Sequence, residues 1–434
     1  MHDLIHELAQ SVSIHECLRV EDSTKLPSPI PKTLRYLSVK TTNPGIIKAI
    51  GKFKYLHSLS LFYLPSYQDI YALSKIFKAL RSLRLLEIFA PLTLELIPEE
   101  IENLIHLRYL KIDSFYLTML PKSLSNLYHL QYIIYDGLEK GADFFPSDIN
   151  NLSNLHYVKL PKNCISSIGG IGKLKFLQEL KMFDLGDASG YRIGELENMN
   201  DLCKLGINCL ENIKDAEEAC SAKLCAKRRL ADLILCWSNT DLRNINFNEN
   251  VLDNLQPPKC LRNLSIKRYM GARSAMWMNN VNPIFNLEKI ELTECLECET
   301  LPPFGQLLFL KSLKLDNMPK VKWLVSKFNG NDKYRTFPVL EKLYIEKLEE
   351  LEDWFEAGVA AEDGCLFPCL IELELYHCPK LKELPSLPAK LKTLKIYDNM
   401  EWTTLNFCSN SNPIPLESLT VCECPNITSL PLAD

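Results

Sequence analysis

The stretch Leu107-Arg108-Tyr109-Leu110-Lys111-Ile112 decides how the rest of the chain is read. Its apolar residues fall at positions one, four and six, so its second half alternates as a strand with one buried face does. Outward from it the same spacing recurs at LRYLSV (34–39), LHSLSL (56–61), LRLLEI (83–88), LQYIIY (130–135), LHYVKL (155–160) and LQELKM (177–182). It continues through LCKLGI (202–207), LADLIL (230–235), LRNLSI (261–266), LEKIEL (287–292) and LKSLKL (310–315). LEKLYI (340–345), LIELEL (370–375), LKTLKI (391–396) and LESLTV (416–421) complete the series. The sixteen copies lie on average about 25 residues apart, a spacing at which one short strand cannot bury its own leucines and stacking must do it.

Pattern and period together are those of leucine-rich repeats. The expected fold is an α/β solenoid, a horseshoe with a parallel sheet on its concave side. Short helices, 3-10 turns and loops fill the convex side, over about 16 repeats. Pro98, Pro121, Pro146, Pro302, Pro385 and Pro431 each lie 14–16 residues after a first leucine. After Pro98 and Pro121, EEIENLIHL and KSLSNLYHL read as short helical turns. Eight residues after the first leucine stand Asn163, Cys295, Cys378, Asn399 and Cys424, an irregular asparagine ladder that gives several cysteines a structural place. Intervals starting at Leu202, Leu230, Leu310 and Leu340 stretch to 28–31 residues. The extra length predicts an amphipathic helix over 214–230 and polar loops at 329–338 and 356–368.

Composition narrows the function. The 434 residues include 75 leucines and 16 glycines, are 47% hydrophobic and carry a net charge of -5. Such a chain is neither disordered nor collagen-like, and no apolar run reaches the ~18 residues of a membrane span. The first residues do not follow the basic-then-apolar order of a signal peptide, so the sixteen cysteines are expected as thiols. Cys295-x-x-Cys298 and Cys422-x-Cys424 have no second pair at zinc-site spacing, and no metal is expected. Nine acids against two lysines in 341–363 read as a solvated loop, and Lys227-Arg228-Arg229 is too short to suggest nucleic acid.

Catalytic signatures fail one by one. Ser167–Leu174 imitates a phosphate-binding loop, but Ser167 replaces the first glycine and Leu174 the metal-binding hydroxyl. His6-Glu7 and His15-Glu16 begin zinc-protease motifs in which Gln10 and Arg19 replace the second histidine. No nucleophile elbow occurs, and the glycosylation sequons at Asn151, Asn263 and Asn426 matter only for a secreted chain. A non-catalytic binding surface is what remains, on the solvent-facing strand residues. Tyr109, Tyr132 and Tyr157 share one column, with Lys111, Lys159 and Lys181 beside it. Trp237, Tyr269, Tyr344, Tyr376 and Tyr397 fall near later strand ends. Aromatic residues with basic neighbours have the composition of interface hot spots; mutual packing along the sheet is the other reading.

Met1-His2-Asp3-Leu4 resembles the methionine-histidine-aspartate motif of plant coiled-coil/nucleotide-binding/leucine-rich-repeat immune receptors. HELAQSVSIHECLRV after it, and 210–237, 255–269 and 367–388 further on, are similar to segments of the same family. The resemblance implies that 1–20 is a helical end of the nucleotide-binding module, 21–33 a linker and 34–434 the repeat solenoid. His2 would be the family's contact to an ADP phosphate, with Asp3 beside it. The phosphate cradle is absent from this chain, so ADP or ATP is expected only in a full receptor and no cofactor in this chain. The implied role is recognition of a pathogen effector or guarded host protein on the concave face, in the cytoplasm. The N-terminal repeats would hold the nucleotide-binding module in its resting state. The alternatives are a ubiquitin-ligase substrate receptor and a secreted inhibitor or receptor ectodomain.

Overall fold

Each of the sixteen motif copies carries a strand that begins two residues after its first leucine. The computed structural model describes residues 15–21, 31–41, 43–62, 68–92, 94–138, 141, 144–159, 168–238, 245–279, 286–325, 333–334, 337–356, 360–361, 366–385, 387–398, 402 and 416–427. Two compact units are present: Met1–Phe183 with Ala188–Tyr191, and Asp184–Asp187 with Arg192–Asp434.

The first unit holds a seven-stranded parallel sheet in sequence order. Its strands are β1 (Cys17–Glu21), β2 (Tyr36–Lys40), β3 (Ser58–Phe62), β4 (Leu85–Phe89), β5 (Tyr109–Asp113), β6 (Tyr132–Asp136) and β7 (Tyr157–Lys159). Leu37, Leu59, Leu86, Leu110, Ile133 and Val158 stand opposite one another along the ladder and are all buried. One leucine position thus becomes a continuous apolar row, which is how repeats too short to fold alone stabilise each other.

β1 corrects the expected boundaries. It pairs in parallel with β2, Leu18 opposite Leu37 and Val20 opposite Val39, so the sheet begins inside the 1–20 segment assigned to another module. His15-Glu16-Cys17-Leu18-Arg19-Val20 is a further motif copy whose first leucine is replaced by His15. The helix expected over 2–13, and most of the 21–33 linker, lie outside the described residues.

Prolines set the return path. Pro98 (φ -62, ψ 143) and Pro121 (φ -67, ψ 146) hold extended backbone before the 3-10 helices Glu99–Asn103 and Lys122–Asn126. The longer return Gln68–Ala79 is an α-helix whose Ala72, Leu73, Ile76 and Phe77 are buried. Tyr135 turns its ring inward from β6 and donates to the Ser114 carbonyl at 2.6 Å. A Cβ on Gly137 would fall on that carbonyl and on the Tyr135 ring, so no side chain fits there.

The ten-stranded sheet comprises β8 (Glu179–Asp184), β9 (Lys204–Asn208), β10 (Asp232–Cys236), β11 (Asn263–Lys267), β12 (Lys289–Thr293) and β13 (Ser312–Asp316). After β14 (Trp323–Val325) and β15 (Lys333–Tyr334) it resumes with β16 (Lys342–Glu346). β17 (Asp353–Phe355) and β18 (Ala360–Ala361) precede its last strands, β19 (Glu372–Tyr376), β20 (Thr393–Tyr397) and β21 (Ser418–Cys422). β14 pairs with β17, and β15 with β18. The two insertions expected as plain polar loops therefore carry a short parallel bridge, Lys333 opposite Ala360. The acidic run 341–363, expected as a solvated loop, is built largely of β16, β17 and the turn between them.

Strand ends differ in this unit. Eight of its strands are followed by a non-glycine residue in left-handed backbone: Cys209, Arg268, Glu294, Asn317, Lys347, His377, Asp398 and Glu423. The N–H groups of Arg268, Glu294, Asn317, Lys347 and His377 donate to the last carbonyl of the following ladder strand at 2.8–3.0 Å. The reversed twist sends the next residue inward, and Leu210, Tyr269, Cys295, Met318, Leu348 and Cys378 are buried there. Position nine of the repeat is thus an inward position, and burial pushes the Cys378 thiol there up to about 12.

The helix expected over 214–230 is instead a short α-helix, Ala216–Cys220, and a 3-10 turn, Leu224–Ala226. Lys223, left-handed at φ 47, separates them. The basic cluster is divided: Arg228 and Arg229 are exposed, whereas Lys227 is fully buried and donates to the Leu196 and Met199 carbonyls at 2.5 and 3.1 Å. Burial lowers its pKa to about 8.

Candidate functional site

Between the inward leucines, the described residues at motif positions two, three, five and seven stay in contact with solvent, apart from Phe183, Gly206, Cys236 and Ser265, which are buried. In the first unit, position three stacks Tyr109, Tyr132 and Tyr157 opposite one another on β5, β6 and β7. Tyr109 and Tyr132 rings lie 6.2 Å apart, and Tyr132 stacks on His156, which stacks on Phe176 at 5.8 Å. Burial, then the nearby Glu87 and Asp136, push the Tyr109 phenol pKa up.

Position five carries Lys111 and Lys159, with Ile134 between them. Both ammonium groups converge on Asp136, Lys159 at 2.6 Å and Lys111 at 3.6 Å. Their hydrogen bonds and charge, Lys159 foremost, hold the Asp136 carboxyl below its usual range. Lys111 also lies 5.1 Å above the Phe89 ring, which stacks on Phe62 at 4.5 Å. The expected column is therefore one connected patch of tyrosines, phenylalanines and a doubly paired aspartate. Lys181 lies on β8, in the other sheet, with an exposed side chain.

Position two was passed over in the sequence, although reading one motif position down all repeats exposes it. In the first unit it holds Glu16, Arg35, His57, Arg84, Arg108, Gln131, His156 and Gln178. Each N–H from Arg35 onward donates to the carbonyl of the residue before it in that series at 2.8 Å, so the eight are rungs of one ladder. Arg35 is hydrogen-bonded to the Lys32 carbonyl and faces Tyr55. Burial, then Arg84 and Arg35, lower the pKa of His57, with Glu16 opposing them.

In the second unit the same position reads Cys203, Ala231, Arg262, Glu288, Lys311, Glu341, Ile371, Lys392 and Glu417. Here signs alternate and pair: Glu288 with Arg262 at 3.8 Å and Lys311 at 3.6 Å, and Glu417 with Lys392 at 2.6 Å. Lys342–Glu372 and Lys395–Glu374 add pairs at 2.8 and 2.9 Å. Tyr344, Tyr376 and Tyr397 form a ring stack, 5.3 Å and 4.7 Å between successive centroids. Tyr344 and Tyr376 donate to Glu346 and Glu374. Burial first, then that glutamate, push Tyr376 up to about 12.

Trp237 and Tyr269 are corrections: neither is on the solvent face. Trp237 is 0% exposed and Tyr269 3%. Trp237 sits beyond the end of β10 where the chain turns inward, and donates to Asn248 of the helix Ile245–Asn254 at 3.0 Å. Tyr269 is the inward position-nine residue after left-handed Arg268, donating to the Arg273 carbonyl at 2.9 Å. The two rings pack 5.1 Å apart. His2 and Asp3 lie outside the described residues.

In the phosphate-loop imitation the Gly170 N–H donates to the Gly190 carbonyl at 2.8 Å. Among the described residues no group of three or more His, Cys, Asp or Glu could hold a metal ion. No described helix is long and apolar enough to cross a membrane.

Known proteins agree with the ladders. The profile of the R13L1/DRL21 leucine-rich repeats matches residues 193–318. RGA1 of Solanum bulbocastanum, named for disease resistance, is 31% identical over 434 residues, 99% of this chain and 40% of that protein. A disease resistance RPP13-like protein of Arabidopsis thaliana is 30% identical over 422 residues, 92% of this chain and 40% of its own. A leucine-rich-repeat protein of Leptospira interrogans aligns with a TM-score of 0.40 at 20% identity, over 92% of this chain and 88% of that one. The chain spans about two fifths of the length of the two plant relatives. Motif, register and profile define a leucine-rich-repeat region. The chain belongs to the plant nucleotide-binding, leucine-rich-repeat disease resistance family, as part of its repeat region.

Proposed function

We propose that this chain is the recognition and autoinhibitory repeat region of a plant intracellular immune receptor. It acts in the cytoplasm by binding rather than by catalysis. A pathogen effector or a guarded host protein docks on the solvent face of the strands, and the N-terminal repeats hold the nucleotide-binding module at rest. Recognition then shifts a two-state equilibrium by binding one state more tightly than the other. ADP or ATP belongs to the nucleotide-binding module of the whole receptor, with His2 and Asp3 at its edge.

The observation that carries this reading is the in-register column Tyr109–Tyr132–Tyr157 beside the Asp136-bridged lysines. Large aromatic area on a rigid backbone, next to charged groups, is what a protein interface uses for affinity and orientation. The test is co-elution of the full chain with the purified nucleotide-binding module of the Solanum relative RGA1, that relative's own repeat region serving as positive control. A joint peak supports the clamp, and two separate peaks beside a working control overturn it. For the recognition face, Tyr109→Ala with Tyr132→Ala in a receptor carrying this region is expected to abolish the defence response to its elicitor. An unchanged response would remove the column from the interface.

A further inference from the structure

In the first unit, position two from Arg35 onward keeps one sign of charge, with Glu16 on the rung before it, where the second unit neutralises itself. Between Arg35 and Gln178 it holds three arginines, two histidines and two glutamines, and no acid. The Arg84 and Arg108 side chains are exposed, on neighbouring rungs of the same hydrogen-bonded ladder. At the corresponding position of the second unit, Glu288 alone answers two cations. Like charges on adjacent strands repel, and three guanidinium groups with no carboxylate between them leave a local field that an anionic partner would meet. The lowered pKa of His57, to which Arg84 and Arg35 contribute after burial, reports that field.

We propose that Arg35, His57, Arg84 and Arg108 form a docking row for a short acidic segment of a protein partner. This deepens the recognition reading above and rests on it. Strands in a sheet lie ~4.8 Å apart, so four rungs span roughly 14 Å, the length of about four extended residues. Beyond Arg108 the column becomes Gln131, His156 and Gln178, which carry no fixed charge. A partner whose charge also stops after a few residues matches that change. A nucleic-acid backbone or an anionic membrane would carry its charge onward, against a chain whose net charge is -5. Exposed Tyr36 and Tyr132 beside the row offer apolar area to the residues next to the acids.

The experiment is fluorescence anisotropy of a fluorescein-labelled hexaglutamate peptide with the full chain at low ionic strength. Saturable binding is expected, lost at least tenfold in Arg84→Glu with Arg108→Glu and by added salt. Lys311→Glu with Lys392→Glu, at the same position in the second unit, should leave it unchanged. Absence of saturable binding, or equal loss in both double variants, overturns the proposal. So does tighter binding to phosphatidylserine vesicles or to single-stranded DNA than to the peptide. Should the peptide fail while the module still co-elutes, the acidic chemistry is wrong and the recognition reading stands. Failure of both removes the two together.

Discussion

The two sheets share a backbone ladder and use it for opposite surfaces. At position two the first, from Arg35 onward, places arginines and histidines without acids, while the second alternates lysine or arginine with glutamate and pairs them. At the strand ends the first keeps ordinary backbone among the described residues, glycines aside, while the second turns through a left-handed residue eight times. The first sheet thus carries unanswered charge and exposed aromatic area, and the second spends its charges on itself. Surface character in a repeat protein is written at outward positions, and the buried leucine row is indifferent to it.

That indifference gives the largest expected effect. Tyr135 with Gly137, and Tyr269 with Gly271, are the same device in the two units, a buried tyrosine lying where a Cβ two residues later would be. Gly137→Ala and Gly271→Ala should each destabilise by roughly 3 kcal/mol, at the upper end of overpacking costs. All five tryptophans lie in the second unit, so their fluorescence reports it alone, whereas circular dichroism sees both. Urea unfolding should place the Gly271→Ala loss in the fluorescence transition. A neutral Gly137→Ala would show that the cores are not alike.

Next in size is Lys227, which has no buried lysine as counterpart among the described residues of the first unit. Unfolded, its amine stays protonated to about pH 10.5; folded, it loses the proton above about 8. Between those values the unfolded chain binds more protons, so stability rises with pH, by up to about 3 kcal/mol, and the penalty is complete below pH 8. The Lys227→Met chain should lack that rise when urea midpoints are compared at pH 8 and 10.5. Parallel midpoints in the two proteins would mean the ammonium is not penalised.

The left-handed turns predict a smaller, signed effect. Lys347→Val should cost about 1–2 kcal/mol, because a β-branched residue resists that backbone, whereas Lys347→Gly should be neutral or stabilising. The smallest effect separates the two faces directly. Arg84→Gln with Arg108→Gln should raise stability by about 0.5 kcal/mol at low salt by removing repulsion. Lys311→Gln with Lys392→Gln should lower it by a similar amount, since exposed pairs are worth little. Thermal melts at low and high salt measure both, and high salt should erase the difference.

Every motif strand was legible because Leu-x-x-Leu-x-Leu encodes the inward face directly. β1 was not, since His15 stands where its first leucine would be, and a pattern keyed on that leucine skips it. The tyrosine column on β5–β7 was legible, because alternation within a strand fixes which residues face solvent. Trp237 and Tyr269 were misplaced because they lie past the strand ends. There alternation fails, and backbone twist, which no residue spacing records, decides the direction of the side chain. The burial of Lys227 was not legible, because composition reveals charge and not the two carbonyls that receive it.

The position-two ladder has one more consequence. Its rungs are joined through main-chain N–H and carbonyl groups, which every residue except proline supplies, and its side chains take no part in the joints. Any of those residues can therefore be exchanged without disturbing the leucines behind it. Such a column can change its surface chemistry one substitution at a time while the protein remains folded.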